Sequence, residues 1–167
     1  MAKNKKQLLY FDLVKINTLQ FAVIEEMYKE TSDSGISLSY TVGIGAEKDS
    51  KILHFNIKSE FKQGVSPFLI IEVECDFAMS DKAWDDIFNH ELQSSVVVPK
   101  NLAIHLAGIT ISIARGILHT KTEGTRFNKF IIKAIPVANI IPEDVEINFS
   151  KKQKPKKVSP KTIVKKS

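Results

Sequence analysis

The segment from Pro99 to Lys121 constrains the fold most, because it is a long helix candidate that is apolar on nearly every side. Five of its apolar residues form one helical stripe: Leu102, Leu106, Ile109, Ile113 and Ile117. Three more lie on other faces of the helix: Ile104, Ile111 and Leu118. A helix that is hydrophobic all round must be covered all round. Residues 101–114 carry no formal charge, but this run is shorter than the roughly 20 apolar residues of a membrane span.

We therefore predict a buried helix and no membrane span. The rest of the chain can supply one sheet, which would cover a single side of the helix. The other side then calls for a partner subunit. The stripe residues Leu102, Leu106, Ile109, Ile113 and Ile117 are the candidate oligomer interface.

The net charge of +5 is divided unevenly along the chain. Eight lysines and no acidic residue follow Ser150, so the tail carries +8 and residues 1–150 carry −3. A lysine-rich segment with Pro155 and Pro160 is typical of disorder in isolation. We expect a basic N-terminal extension over residues 1–7, a single domain over 8–149, and a lysine-rich tail over 150–167.

The single cysteine, Cys75, excludes an intrachain disulfide and fits a reducing compartment. Asp12 and Lys15 interrupt the apolar run that a signal peptide would require, so a cytoplasmic location is expected. The four histidines have no metal-ligand spacing in the sequence, and no nucleophile–base arrangement is visible. We therefore expect no enzyme activity, no cofactor and no metal.

Apolar residues alternate with a period of two in three consecutive runs, which predicts a three-stranded antiparallel meander. The apolar positions are Leu38, Tyr40, Val42 and Ile44; Leu53, Phe55, Ile57 and Phe61; and Leu69, Ile71, Val73, Cys75 and Phe77. Glu72, Glu74 and Asp76 take the opposite face of the third run, where they form a candidate acidic face for a basic partner. Upstream, a phase slip at Val14 and Ile16 predicts a bulged or bent first strand.

Two helices and an extended segment complete the prediction. Ser80 can cap a short helix with Trp84, Ile87, Phe88 and Leu92 on one face. The long helix should end near Gly124, and residues 130–137 read as an extended apolar segment. The predicted fold is α+β: a four-stranded antiparallel sheet with a bent first strand, packed against a long buried helix and a short helix.

The order of these parts resembles the SecB-type protein-export chaperones and their SecB-like relatives, over roughly residues 9–142. The most local matches are Val97-Val98-Pro99 at the start of the long helix and Ala134-Ile135-Pro136-Val137 near the end. One departure is Lys100-Asn101-Leu102-Ala103, where the family commonly continues Tyr-x-Arg-Glu. Another is the C-terminal helix of SecB, of which at most the fragment from Pro142 to Ile147 is expected.

The resemblance implies a homotetramer, a dimer of dimers, that holds unfolded polypeptides in hydrophobic grooves without ATP and serves protein export through the export motor. The candidate peptide contacts are Tyr40, Phe55, Phe77, Trp84 and Phe88. Aromatic residues on the apolar faces of strands also suit an ordinary core, and this interpretation stays open for each of them.

Two other functions remain open. One is a SecB-like chaperone dedicated to one client, such as an antitoxin. The other is a nucleic-acid-binding protein acting through the tail. The tail contains no arginine, so it would give nonspecific, salt-sensitive binding.

Overall fold

The computed structural model describes residues 11–30, 35–88, 90–91, 94–134 and 136–149. The predicted extension over residues 1–7, the tail over 150–167, Leu92 and Ile135 lie outside them. The elements in chain order are β1 (Phe11–Val23), a 3-10 turn (Glu25–Met27), β2 (Ile36–Glu47), β3 (Ile52–Gln63), β4 (Ser66–Met79), α1 (Asp81–Ile87), β5 (Ser95–Val98), α2 (Lys100–Thr122), α3 (Val137–Ile140) and β6 (Val145–Asn148).

The main sheet is antiparallel and has the strand order β1-β4-β3-β2. Strands β2, β3 and β4 form the predicted meander, and β1 pairs with β4, so the connection from β1 to β2 crosses the sheet. The register of β1 shifts between Leu13 and Lys15 and again between Thr18 and Gln20. The first shift lies where the phase slip predicted a bulge. The α+β fold is confirmed.

Helix α2 packs on the face of the sheet that carries the alternating apolar side chains of β3 and β4. It follows Pro99 and ends at Thr122, and Gly124 supplies the positive φ of 73° beyond the end. By length and composition alone α2 could cross a membrane. The core helix of a folded domain can have the same length and composition. The contacts of α2 with the sheet place it in the core of this fold.

Helix α1 begins where the sequence predicts. The Ser80 hydroxyl accepts a hydrogen bond from the Ala83 amide at 3.3 Å, which caps the first turn. The helix ends at Ile87, and Phe88 already forms an isolated β-bridge with Val96. Trp84 and Ile87 are buried, so α1 packs against the core.

A second sheet of two strands differs from the prediction. The pairing runs from Ser95 opposite Asn148 to Val98 opposite Val145, so the fragment from Pro142 to Ile147 contributes a strand and no helix. The alternation of Val145, Glu146 and Ile147 explains this result, because β-branched residues with a period of two favour a strand. Of the C-terminal helix, expected at most over Pro142 to Ile147, no part is formed in these residues.

The segment after α2 is held by an arginine side chain rather than by a strand ladder. The Arg115 Nε donates to the carbonyl oxygen of Ile132 at 2.7 Å, and Ile132 is fully buried. Within the described part of residues 130–137, no strand is formed, and α3 begins at Val137. The segment packs through Ile132 and through Phe130, whose ring centroid lies 4.8 Å from that of Phe68, whereas Ile131 is 55% exposed.

Candidate functional site

The aromatic candidates for peptide contact lie mostly in the core. Phe55 and Phe77 are 0% exposed, and Tyr40 and Trp84 are also buried. A peptide cannot reach these four side chains in this conformation, so the expected peptide contact does not fit them. Phe88 is half-buried, and the Lys48 ammonium lies 5.0 Å from its ring centroid.

The predicted stripe of α2 is divided between two sides of the helix. Leu102 and Leu106 are buried against the sheet, whereas Ile109, Ile113 and Ile117 are only half-buried. The buried side is completed by residues next to the stripe: Ala103, Ala107, Thr110, Ile111, Ala114, Leu118 and Thr122. The sheet therefore covers one side of α2, as predicted, but Leu102 and Leu106 cannot serve as interface residues because the chain's own core occupies them.

The opposite side of α2 forms an open groove of about 630 Å³. We call its lining the outer face of α2: Ile104, His105, Gly108, Ile109, Ser112 and Ile113. A Cβ atom at Gly108 or Gly116 would meet nothing within 4 Å. Glycine inside a helix costs roughly 0.5–1 kcal/mol relative to alanine, and the chain's own packing does not require it at either position. The groove thus leaves room for a second element to approach the helix backbone.

Strand β1 carries a second apolar surface at an edge of the main sheet. We call it the β1 surface, and it consists of Leu13, Val14, Ile16 and Leu19. Val14 and Leu19 are 53% and 51% exposed and lie at the two register shifts. A bulge residue does not alternate with its neighbours, which explains why Val14 and Leu19 are exposed although they are apolar.

The β1 surface lies beside α2. Leu13 and Ile16 are the register partners of Phe77 and Cys75, which belong to the apolar sheet face beneath α2. At the ends of the strand, the Phe11 ring contacts the His105 ring at 5.8 Å, and the Lys121 ammonium lies 5.3 Å from the Phe21 ring. The strand and the helix therefore run side by side.

The acidic side chains of β4 lie on the opposite face of the sheet, as predicted, but they are not equally accessible. Asp76 is 7% exposed, and its Oδ1 lies 2.8 Å from the Nδ1 of His54 on β3. Glu72 accepts a hydrogen bond from the Asn56 amide at 3.0 Å. The expectation of an accessible docking face does not hold for Asp76, and only Glu72 and Glu74 are half-exposed.

The same sheet face also carries basic residues, which weaken its negative potential. Lys58 and Lys62 lie 3.5 Å and 3.0 Å from the Glu60 carboxylate. Burial raises the pKa of Glu60, but the hydrogen bonds and charges of the two lysines outweigh it and leave the pKa below its ordinary value. The face is therefore a mixed polar surface and suits specific contacts better than bulk attraction of a basic partner.

A pocket of about 300 Å³ opens between this polar face and the end of β6. Its walls include Gly43, Gly45, His54, Asn56 and Glu74 from the sheet, and residues 147–149 from the C-terminal segment. Gly43 and Gly45 contribute only backbone atoms to these walls.

No family model, curated protein or solved structure matches this chain. Its function is therefore inferred from the β1 surface, the outer face of α2 and the polar sheet face. Sequence patterns indicated the polar sheet face and part of the outer face of α2. The β1 surface was missed, although the phase slip that places apolar residues on both sides of a strand was a usable signal.

Proposed function

We propose that this protein is an ATP-independent molecular chaperone of the SecB type, which holds unfolded polypeptides and works as a homotetramer. The observation that carries the proposal is the β1 surface, where four large apolar side chains are exposed along an edge strand. Exposed apolar patches of this kind are typical of interaction sites.

An edge strand suits an unfolded client because it offers two kinds of contact. The backbone groups on its outer edge, which pair with no other described strand, can pair with an extended segment of any sequence. The apolar side chains at Leu13, Val14, Ile16 and Leu19 can then bury apolar residues of the client, and this burial is non-directional. Both contacts tolerate many sequences, which is what a general holding chaperone needs.

The outer face of α2 supports self-association. Ile109 and Ile113 line the groove, and Ile117 continues the half-buried apolar surface one turn further. A second copy of α2 could pack there closely, because Gly108 and Gly116 present no side chain. Helices covered in this way would be enclosed between the sheets of two subunits.

The direct test is suppression of aggregation of a chemically unfolded model protein, with and without nucleotide. We expect suppression at a near-stoichiometric ratio and no effect of ATP, because the surfaces bind clients without turnover. Val14→Lys and Leu19→Lys should weaken client binding by about tenfold, since burial of one such side chain contributes roughly 1.5–3 kcal/mol.

The matched control is Val65→Lys, which changes a 92% exposed valine in the turn between β3 and β4. This variant should suppress aggregation like the wild type. Sedimentation of all three variants shows whether assembly has changed. Suppression that requires ATP would contradict the proposal, as would unchanged suppression by both β1 variants.

The range of clients is measured by co-purification from the native cell and mass spectrometry of the bound polypeptides. Many unrelated clients would support a general chaperone, including one that serves export. A single client would support a dedicated chaperone.

A further inference from the structure

The polar sheet face brings together three metal-ligating side chains from two strands, one from β3 and two from β4. His54 on β3 is the register partner of Asp76 on β4, and Glu74 lies two residues earlier on the same face of β4. One ring nitrogen of His54 and one carboxylate oxygen from each acid all lie within 4.8 Å of one another. Two paired strands hold them, so the positions of their backbones are set by the sheet.

The charges in this cluster are poorly compensated. Asp76 is almost completely buried, and a buried carboxylate is normally paired or bound to a metal. Its Oδ1 contacts the Nδ1 of His54, and an imidazole is itself a common metal ligand. Lys15 is the register partner of Asp76 on β1, but the two form no ion pair within the described residues. In the same part of the chain, no basic residue forms an ion pair with Glu74.

We propose that His54, Glu74 and Asp76 bind one divalent transition-metal ion, with Zn²⁺ as the ion of best fit. An imidazole and two carboxylates form a ligand set that zinc accepts, at distances of about 2.0–2.2 Å. Two atoms that both lie about 2.1 Å from an ion are at most about 4.2 Å apart. The observed cluster therefore needs only a small contraction, which rotation of the half-buried Glu74 side chain can supply.

The surroundings leave one coordination position open. His54 and Glu74 both line the pocket of about 300 Å³ beside residues 147–149, whereas Asp76 lies deeper. The fourth ligand would therefore be water from the pocket. Calcium and magnesium prefer sites made entirely of oxygen ligands, so the histidine discriminates against both ions.

The test is a titration of the chelator-treated full chain with Zn²⁺ by calorimetry, together with Co²⁺ as a spectroscopic probe. We expect one ion per chain, visible Co²⁺ absorption bands, and an increase in the unfolding temperature with Zn²⁺, because a ligand that binds the folded state stabilises it. Calcium and magnesium at the same concentrations should not compete.

Variants locate the site. Glu74→Gln and His54→Ala should each lower zinc affinity by at least about tenfold. Glu72→Gln and His105→Ala are the matched controls, since Glu72 lies on the same face outside the cluster and His105 lies on α2. Both should bind zinc like the wild type. Circular dichroism without metal checks that each variant is folded.

Three results would overturn the proposal. The first is the absence of saturable zinc binding at micromolar concentrations. The second is a zinc affinity in folded Glu74→Gln and His54→Ala that equals that of the wild type. The third is calcium binding to the site as strongly as zinc. Any of them would leave the contact between His54 and Asp76 as a structural hydrogen bond only.

Discussion

At the scale of single residues, Cys75 shows how burial changes chemistry. This side chain of β4 is fully buried. Burial raises the pKa of its thiol above the ordinary value, although a hydrogen bond with the Thr110 side chain of α2 acts in the opposite direction. The thiolate is the reactive form of cysteine. Cys75 should therefore behave as an apolar core residue.

We expect Cys75 in the folded protein to react very slowly with a disulfide reagent such as DTNB at pH 8, and at once after unfolding in guanidinium. Absorbance of the released thiolate measures both rates. Rapid and complete reaction of the native protein would mean that the sheet opens at β4.

Gly108 separates the stability of one chain from its assembly. Gly108→Ala should stabilise the isolated chain by about 0.5–1 kcal/mol, because alanine favours a helix and its Cβ meets open space. The same Cβ should weaken assembly if a second α2 packs closely there. Unfolding at low protein concentration measures the first effect, and sedimentation equilibrium measures the second. Unchanged assembly would contradict close approach at this position.

At the scale of elements, α2 has two apolar sides with different expected roles. Ile111 is buried against the sheet, whereas Ile113 lines the outer groove. These two residues have the same side chain and lie within one turn of the same helix. They therefore form a matched pair for testing the two sides.

Ile113→Asp should give a folded protein that no longer assembles, because an unpaired charge in an apolar interface costs several kcal/mol. Ile111→Asp should unfold the chain, because the same charge would lie in its own core. Circular dichroism and sedimentation velocity distinguish these outcomes. A stable wild-type monomer, or an Ile113→Asp variant that sediments like the wild type, would contradict the interface.

At the scale of the whole molecule, the basic tail and the folded body should act separately. Truncation after Ser150 removes eight lysines and changes the net charge from +5 to −3. We expect the shortened protein to lose salt-sensitive binding to RNA, DNA or anionic lipid, because such binding depends on counterion release and screened charge. Client binding and assembly should remain, because they depend on apolar burial.

Client suppression and nucleic-acid retention, measured at low and high salt for both chain lengths, check this prediction. Increased client binding after truncation would mean that the tail covers a binding surface. Loss of assembly would give the tail a structural role.

The local patterns of this chain determined its elements. Strand faces such as Val73, Cys75 and Phe77 against Glu72 and Glu74 could be predicted because a strand has only two sides. The Ser80 cap and the glycine after α2 could be predicted because each satisfies a backbone requirement within one turn.

The tertiary structure alone decided which sides of these elements meet. An all-apolar helix does not specify which face contacts its own sheet, so the stripe was divided between core and groove. The pairing of β5 with β6, and of His54 with Asp76, joins residues that are distant in sequence. Such contacts depend on the shape of the assembled core, because no local backbone preference extends across the intervening chain.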